Sequence, residues 1–197
     1  MKFPPLSLRP LHHRDQLGHW LNAAGLYGTG VEVGTLFGGY AKVIASTWRG
    51  RLHCVDLWER QPSEIYKDGA NEMAESAHAE ARNVLTPLGV VLHRMSSLDA
   101  ANLFKDEALD FAYLDANHSL EAARADIKTW FQKVKVGGLF CGHDFYIRYD
   151  ADTNSDAQTA VLEFALKVGV FPQITWCNSF WFLKTDEMSR AFNEKAL

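Results

Sequence analysis

Acidic and imidazole side chains stand where two apolar runs of this sequence end. The run LDFAYLD ends at Asp115, with His118 three residues later, and the run GGLFCGHD ends with His143 and Asp144. Carboxylates and imidazoles can bind a metal ion or move a proton near neutral pH. If both runs are strands of one parallel sheet, their carboxyl ends open on the same edge, so we expect these four side chains to meet there.

A second group of residues is typical of a ligand-binding loop. The stretch VEVGTLFGGYA places Gly34, Gly38 and Gly39 between a strand and a helix, where the backbone can turn tightly and approach a ligand. The spacing is not G-x-G-x-x-G, and Glu32 in the strand would repel a pyrophosphate but attract a cation. Asp56 follows Gly34 by 22 residues, at the end of the next strand, where an acid can bind ribose hydroxyls. The pattern favours an adenosine with an ammonium-bearing tail over a dinucleotide.

The elements that would position these residues follow from the pattern of the chain. From about residue 30, short β-branched and aromatic runs alternate with segments of helical period, which is typical of βαβ units. The segments QITWC and FWFLK flank Asn178-Ser179 and predict a final antiparallel pair, with Pro172 placing the first of them near an edge. We therefore predict an α/β fold, a Rossmann-like doubly wound sheet of about seven strands, mostly parallel with an antiparallel last strand. The five parallel strands are predicted at 30–35, 51–58, 89–95, 109–115 and 137–144.

The helices are predicted from apolar periodicity and capping residues. Helices are expected at about 14–24, at 39–48 and at 157–168, where Gly169 would end the last of them. Ser119 is a suitable N-cap for a helix after the fourth strand. Its apolar positions are Leu120, Ala123, Ile127, Trp130, Phe131 and Val134. Residues 59–84 are polar with Gly and Pro, and predict a long loop that helps to close the site. We expect an N-terminal extension at 1–29, one domain at 30–186 and a C-terminal tail at 187–197.

Composition limits the class of protein. The chain has 197 residues, 47% of them hydrophobic, which suits one compact domain. The net charge of −4 gives no general attraction to nucleic acid or to an anionic membrane, and no apolar run is long enough to span a bilayer. The cysteines, Cys54, Cys141 and Cys177, lie in apolar stretches and predict reduced thiols and a cytoplasmic location. The sequence is compatible with a homo-oligomer.

The ordered motifs resemble a known family. VEVGTLFGGYA, HCVDLW, LDFAYLDANHSLEAARADIKTWFQKVKVGGLFCGHDF and FWFLK together resemble the class I S-adenosylmethionine-dependent methyltransferases, over about residues 28–184. Within that class the sequence is most similar to small bacterial O-methyltransferases of the macrocin type and the cephalosporin-hydroxylase-like type. The resemblance implies an enzyme with S-adenosylmethionine as cofactor and a small molecule as methyl acceptor, through oxygen rather than nitrogen.

The resemblance also implies roles for individual residues. Glu32 and Gly34 would lie against the methionine part of the cofactor, Asp56 would bind the ribose hydroxyls, and Ser96 and Ser97 would contact the adenine. The full set of positions implied to contact the cofactor is Glu32, Gly34, Thr35, Gly38, Gly39, Asp56, Ser96, Ser97 and Asp115.

Two ways of activating the acceptor follow from the residues after strands four and five. His118, ahead of His143, is the candidate general base, with Asp115 beside it. Asp115 and Asp144 match positions that bind a divalent cation in metal-dependent relatives, and oxygen ligands favour Mg²⁺ or a similar ion. Those relatives often carry a second acid where this chain has His143.

Other interpretations remain open at the level of sequence. Asp115, Asn117 and Ser119 would also serve as a capping network for the following helix. An NAD-linked oxidoreductase would share the architecture, but the missing G-x-G-x-x-G and Glu32 disfavour it. A non-catalytic binding module with the same fold is the third alternative.

Overall fold

Seven strands form one sheet within the residues described by the computed structural model, which are 10–60, 72–146 and 156–194. They are β1 (Thr29–Val33), β2 (Arg51–Asp56), β3 (Val91–Arg94), β4 (Leu109–Leu114), β5 (Val134–Gly142), β6 (Gln173–Ile174) and β7 (Phe180–Leu183). The order across the sheet is β3-β2-β1-β4-β5-β7-β6. The pairs β5–β7 and β6–β7 are antiparallel, and the others are parallel. The predicted Rossmann-like sheet and its antiparallel end are confirmed, with β6 at the edge directly after Pro172.

The helices lie on both faces of this sheet. They are α1 (Leu17–Ala23), α2 (Gly39–Thr47), α3 (Ala74–Leu85), α4 (Ser97–Ala101), α5 (Leu120–Lys133), α6 (Ala157–Val168) and α7 (Asp186–Glu194). Short 3₁₀ helices cover Arg14–Gln16 and Thr86–Leu88. The predicted capping is confirmed, since the Ser119 hydroxyl accepts a hydrogen bond from Ala122 N and Gly169 ends α6 at a φ of 73°. None of the helices in the described ranges is both long and apolar enough to cross a bilayer.

Two hydrophobic cores, one on each face, hold the helices against the sheet. Helices α4 to α7 cover one face, where Phe131, Phe140 and Phe164 pack against one another with ring centroids 4.8–5.5 Å apart. Helices α1 to α3 cover the other face with residues that include Trp20 and Ile44. Every residue of β4 is buried because this central strand is covered on both sides.

The order of the strands reverses between β1 and β4, at the centre of the sheet. Val33 pairs with Leu114, and one further hydrogen bond extends each ladder of β1, since Gly34 N donates to Val55 O at 2.8 Å and Asp115 N donates to Val33 O at 2.7 Å. A reversal of this kind leaves a crevice at the carboxyl ends of the strands, where ligands bind in open α/β sheets. Gly34 and Asp115 therefore lie next to each other at the place predicted for the site.

The predicted loop at 59–84 is wrong in its second half. Helix α3 occupies this part and buries Ala77, Ala81 and Leu85, which recur every four residues. Two of these three residues are alanines among charged neighbours, so the apolar period is weak in the sequence. Residues 61–71 lie outside the described residues, and the closing role of this segment stays a prediction.

The boundary between α5 and β5 also differs from prediction. Val134, predicted as the last apolar position of a helix, is the first residue of β5 and pairs with Leu109. The buried Lys184 donates to the carbonyls of Phe131 and Val134, at 3.1 and 2.6 Å, which satisfies acceptors that the end of α5 leaves unpaired. Sheet pairing therefore ends the helix before its apolar pattern does.

Both terminal segments contribute to the cores. Leu11 and α1 join one core, and α7 buries Met188 and Phe192 in the other. The division into an extension, a domain and a tail stays a prediction.

Candidate active site

The loop after β1 is shaped by a glycine that no other residue could replace without a clash. Gly34 has a φ of 91°, and a Cβ atom there would lie 2.0 Å from the carbonyl oxygen of Asp115. The close approach arises because the ends of β1 and β4 meet at the reversal of strand order. Gly38, with a φ of 81°, then forms the N-cap of α2. A Cβ atom on Gly39 would have no atom within 4 Å, so the start of α2 borders open space.

Asp56 holds the glycine loop in place. Its Oδ2 atom accepts hydrogen bonds from Thr35 N at 3.0 Å and Leu36 N at 2.8 Å, and its Oδ1 atom accepts one from Trp58 N at 2.9 Å. Trp58 closes the arrangement, since its Nε1 donates to Leu36 O at 2.7 Å. A carboxylate offers about four acceptor positions, so these contacts are compatible with a further hydrogen bond from a ribose. The ribose contact stays a prediction.

Glu32 is a buried acid beneath this loop. Only 2% of the residue is exposed, and burial is the main cause that raises the pKa of Glu32 to about 8, with the charges of Asp115 and Asp56 adding to it. Cys54 Sγ lies 3.6 Å from the carboxyl group, and the buried Thr35 side chain is beside it. The carboxyl group is mostly protonated at neutral pH, and an adjacent cationic ligand would favour its ionised form.

The four predicted acid and imidazole residues form one cluster at the ends of β4 and β5. His118 Nε2 lies 3.1 Å from Asp144 Oδ2 and 3.6 Å from Asp115 Oδ1. His143 Nδ1 lies 2.8 Å from Asp144 Oδ1 and 3.9 Å from Asp115 Oδ1. All four side chains are partly exposed, although the Nε2 atom of His118 is itself buried.

The two histidines differ in their remaining contacts. His143 Nε2 lies 2.9 Å from the carbonyl oxygen of Cys177, which only accepts hydrogen bonds, so this nitrogen carries a proton. Its other nitrogen faces Asp144, and the ring is held from both sides. His118 presents Nε2 to two carboxylates that can stabilise an imidazolium ion. His118 is therefore the better placed of the two to accept a proton.

Four non-glycine residues at this edge adopt positive φ angles, namely Leu36 at 50°, Trp58 at 42°, Asp144 at 54° and Asn178 at 66°. Such conformations cost roughly 1–3 kcal/mol each and persist where surrounding contacts hold them. Asp56 holds the first two, and Asn178 Nδ2 donates to Asp144 Oδ1 at 3.3 Å. The loops at the strand ends are thus fixed by hydrogen bonds before any ligand binds.

Ser96 and Ser97 have other partners in the structure. Ser96 is the N-cap of α4, where its hydroxyl accepts from Asp99 N at 3.2 Å. The Ser97 hydroxyl donates to Asp126 Oδ1 at 2.5 Å and accepts from Trp130 Nε1 at 2.8 Å. Their predicted contact with adenine stays a prediction.

The alternative that Asp115, Asn117 and Ser119 cap the following helix holds for two of these residues and not for the third. Asn117 Oδ1 accepts from Ser119 N at 2.9 Å, so these two residues do cap α5. The Asp115 carboxylate instead faces the histidine cluster.

Three contributors to the site were not predicted. Arg14 reaches the cluster from the N-terminal 3₁₀ helix, with Nη1 3.8 Å from Asp115 Oδ2. Cys177 and Asn178 reach it from the turn between β6 and β7. None of them lies in a motif that points to a ligand, and only their packing against the strand ends reveals the contacts.

A protein-family model described as a methyltransferase domain matches residues 31–145, which is more than half of the chain. The chain belongs to this methyltransferase family. It is an enzyme that uses S-adenosylmethionine as methyl donor, as the resemblance in its sequence implied, and the NAD-linked alternative is set aside. No protein of curated function matches the chain significantly in sequence.

Solved structures with the same fold include several methyltransferases. A protein provisionally assigned as a caffeoyl-CoA O-methyltransferase from Staphylococcus aureus has a TM-score of 0.62 at 11% identity, covering 88% of this chain and 85% of its own. The O-methyltransferase from Bacillus cereus, in complex with S-adenosylhomocysteine, has a TM-score of 0.60 at 16% identity, covering 89% of this chain and 84% of its own. A protein provisionally assigned as an rRNA methylase from Clostridium thermocellum has a TM-score of 0.56 at 18% identity, covering 84% of this chain and 92% of its own. At these identities the likeness shows the fold.

The residues at the strand ends fit the methyl donor. The buried acid Glu32 suits an ammonium group, and Gly34 lets the chain pass close to Asp115 without a side chain in the crevice. Open space borders Gly39 at the start of α2. The donor set and the cradle thus match an adenosine with an amino-acid tail, although the individual contacts stay predictions.

Proposed function

We propose that this methyltransferase methylates a hydroxyl group of a small molecule, with His118 as the general base. The position of His118 Nε2, 3.1 Å from Asp144 and 3.6 Å from Asp115, supports the proposal. The cluster lies beside the glycine loop because β4 is the neighbour of β1. An acceptor bound there would be close to both the base and the methyl donor.

The chemistry needs alignment and removal of one proton. When bound, S-adenosylmethionine supplies a methyl group on a positively charged sulfur. Glu32 and the loop at Gly34 would hold the donor, so that S-adenosylhomocysteine would remain there after transfer, and His118 would take the proton of the acceptor hydroxyl. Asp115 and Asp144 stabilise the resulting imidazolium ion. Proton transfer to a positioned base contributes roughly 10²–10⁴-fold to rates, and alignment of the reactants contributes further.

The choice of oxygen rests on the chemistry of the base. A neutral amine has a lone pair and attacks without prior loss of a proton, whereas a hydroxyl group gains most from a base that takes its proton. A base supported by two carboxylates therefore suits a hydroxyl acceptor. The net charge of −4 disfavours a polyanionic acceptor.

A divalent metal ion is the second candidate for activating the hydroxyl. Asp115, His118 and Asp144 each offer a ligand atom, and these atoms lie within 4.8 Å of one another. An ion bound there would supply Lewis acidity and lower the pKa of the hydroxyl. The imidazole in the set makes Mn²⁺ or Zn²⁺ a better match than an all-oxygen site would, whereas the sequence favoured Mg²⁺. The positive charge of Arg14 near Asp115 would disfavour the ion.

Calorimetry with S-adenosylhomocysteine is the first test, and no binding at millimolar ligand would contradict the cofactor assignment. The second test incubates enzyme and S-adenosylmethionine with matched pairs of small phenols and anilines, and with an rRNA fragment. We expect methylated phenols by mass spectrometry. Products methylated only on nitrogen or on RNA would overturn the proposal, and binding without any product would favour a non-catalytic module.

A chelator experiment distinguishes the base from the metal. Turnover is measured with EDTA, and again after addition of Mg²⁺ or Mn²⁺. Unchanged turnover with EDTA supports His118 acting as base alone. Loss of turnover that either ion restores would support the metal site.

A further inference from the structure

We infer that Arg14 is a binding residue for the methyl donor, whose guanidinium group binds the α-carboxylate of the methionine part. The inference rests on the proposed placement of the methionine ammonium group at Glu32. An amino acid carries its ammonium and carboxylate groups on one carbon atom. A site for an amino acid needs an acidic side chain and a cationic side chain near each other, and the cationic side chain must have a free hydrogen-bond donor.

The backbone of Arg14 is fixed at the rim of the site. Its N–H group donates to Cys177 Sγ at 3.2 Å, and its carbonyl oxygen accepts from the Tyr40 hydroxyl at 2.9 Å. On either side in sequence, Leu11 and Leu17 are buried in the core beside α2. The chain therefore holds Arg14 between the start of α2 and the turn between β6 and β7.

The guanidinium group of Arg14 packs on Tyr40 at the start of α2. Its Cζ atom is 4.7 Å from the centroid of the Tyr40 ring. Tyr40 is the second residue of α2, and the charges of both Glu32 and Arg14 act on its hydroxyl. Glu32 is buried at β1 and Arg14 lies at the rim, and a bound ammonium group would favour the ionised form of the acid. This arrangement is complementary to an amino-acid zwitterion.

The start of α2 favours a carboxylate at the same place. Its first N–H groups have no side-chain cap, because the N-cap residue is Gly38. Unpaired N–H groups and the helix dipole both attract an anion, and open space borders Gly39. A carboxylate between this helix end and Arg14 would be bound from two sides.

The existing contacts of Arg14 leave donors for a ligand. Its side chain forms a hydrogen bond with Tyr113, and its ion pair with Asp115 is 3.8 Å long, which is longer than a hydrogen bond. A guanidinium group has five N–H donors, so the hydrogen bond with Tyr113 does not use all of them. About a third of the side chain, 30%, is exposed. Within the described ranges, no other Lys or Arg forms an ion pair with Asp115. Arg14 is thus the cation that the fold brings to Asp115.

The test compares two ligands that differ in the amino-acid tail. S-adenosylhomocysteine carries the carboxylate, and 5′-methylthioadenosine lacks the whole amino-acid group. We expect Arg14→Gln to weaken S-adenosylhomocysteine binding roughly ten- to hundredfold, the loss typical of a charge-assisted hydrogen bond, while methylthioadenosine binding changes by less than about twofold. Arg14→Lys should fall between, because it keeps the charge and loses the planar fork.

Arg190→Gln is the matched control, since it removes the same charge from a side chain that is 69% exposed on α7. It should bind both ligands as the unmodified enzyme does. Thermal melts of each variant check folding.

Several results would overturn the inference. Unchanged S-adenosylhomocysteine binding by Arg14→Gln would contradict it. If turnover of a carboxylate-bearing acceptor falls in the same variant while this binding is unchanged, Arg14 binds the acceptor and the inference is also wrong. Equal losses for both ligands would show a structural role. If the unmodified enzyme binds neither ligand, the cofactor placement itself fails, a result that is distinct from a failure of Arg14 alone.

Discussion

The two halves of the carboxyl edge of the sheet are built in different ways. In the β1–β2 half, Asp56 accepts hydrogen bonds from three backbone N–H groups, and Gly34 passes against the backbone of Asp115. In the β4–β5 half, two carboxylates and two imidazoles face one another through side-chain contacts. The β1–β2 half, here called the backbone half, is fixed mainly by main-chain geometry. The β4–β5 half, here called the charged half, is fixed by interactions among ionisable side chains.

The difference matches the two tasks of a methyltransferase. A methyl donor of constant structure can be bound by a rigid backbone cradle. An acceptor must lose a proton, and this step needs ionisable side chains whose charges can change. The residues of the backbone half lie within 32–58, apart from the contact of Gly34 with Asp115. The charged half also depends on the turn that contains Cys177, and Arg14 lies beside both halves. Local changes should therefore damage the two halves in different ways.

The largest expected effect is a difference in kcat between variants of the two histidines in the charged half. His118→Gln should lower kcat for a hydroxyl acceptor by about 10²–10⁴-fold, because it removes the base, while His143→Gln should lose much less. Steady-state kinetics on the first phenol that is methylated checks this, with S-adenosylhomocysteine binding as the control for folding. Equal losses in the two variants would contradict the assigned roles.

The backbone half is tested by Gly34→Ala against Gly39→Ala. The first variant places a Cβ atom against the Asp115 carbonyl at a positive φ, and should lower the free energy of unfolding by about 3 kcal/mol or more. The second meets no atom within 4 Å and should leave stability unchanged or slightly higher. Urea denaturation of both measures the difference, and a Gly34→Ala variant as stable as the unmodified enzyme would refute the close approach.

The buried acid Glu32 gives the backbone half a pH dependence of its own. Burial raises the pKa of Glu32 to about 8, so the acid is mostly protonated at neutral pH without ligand. Binding of an ammonium group favours the ionised form and releases a proton. The affinity for S-adenosylhomocysteine should therefore rise with pH, by up to about tenfold per unit below pH 8, and then level off.

Calorimetry in buffers of different ionisation enthalpy counts the released protons. Glu32→Gln and the ligand 5′-methylthioadenosine should both abolish the release. A proton count that stays the same in either control would separate Glu32 from the ammonium site.

The smallest effect concerns Asp126, which lies behind the charged half. Burial raises the pKa of Asp126 from 3.8 to about 6 in the folded state, despite the hydrogen bond from Ser97. A raised acid pKa means that the folded state binds the proton more tightly, so its contribution to stability is largest at low pH and falls as the pH rises to about 6. Asp126→Asn should therefore be about 1–2 kcal/mol more stable than the unmodified chain at pH 7, with the advantage gone near pH 4.

Urea denaturation at both pH values checks this last prediction. An advantage that is the same at both pH values would point to packing rather than to the charge of Asp126.

The sequence alone predicted much of this architecture, for local reasons. Alternating apolar runs and helical periods predicted the strands and most helices, and Ser119 and Gly169 were identified as the ends of helices from their residue types. Helix α3 was missed because two of the three residues it buries are alanines among charged residues. Val134 was misplaced because sheet pairing with Leu109 overrides the helical period.

The site divides in the same way. The places of Glu32, Gly34 and Asp56, and of Asp115 and Asp144 at one edge, follow from their positions at the ends of parallel strands, which the chain pattern determines by itself. Only the tertiary structure decided that His143 is held by the Cys177 carbonyl while His118 faces two carboxylates, and that Arg14 reaches Asp115. These contacts join residues up to about a hundred positions apart, and their geometry depends on how helices and turns pack against the sheet. Local sequence patterns do not determine that packing.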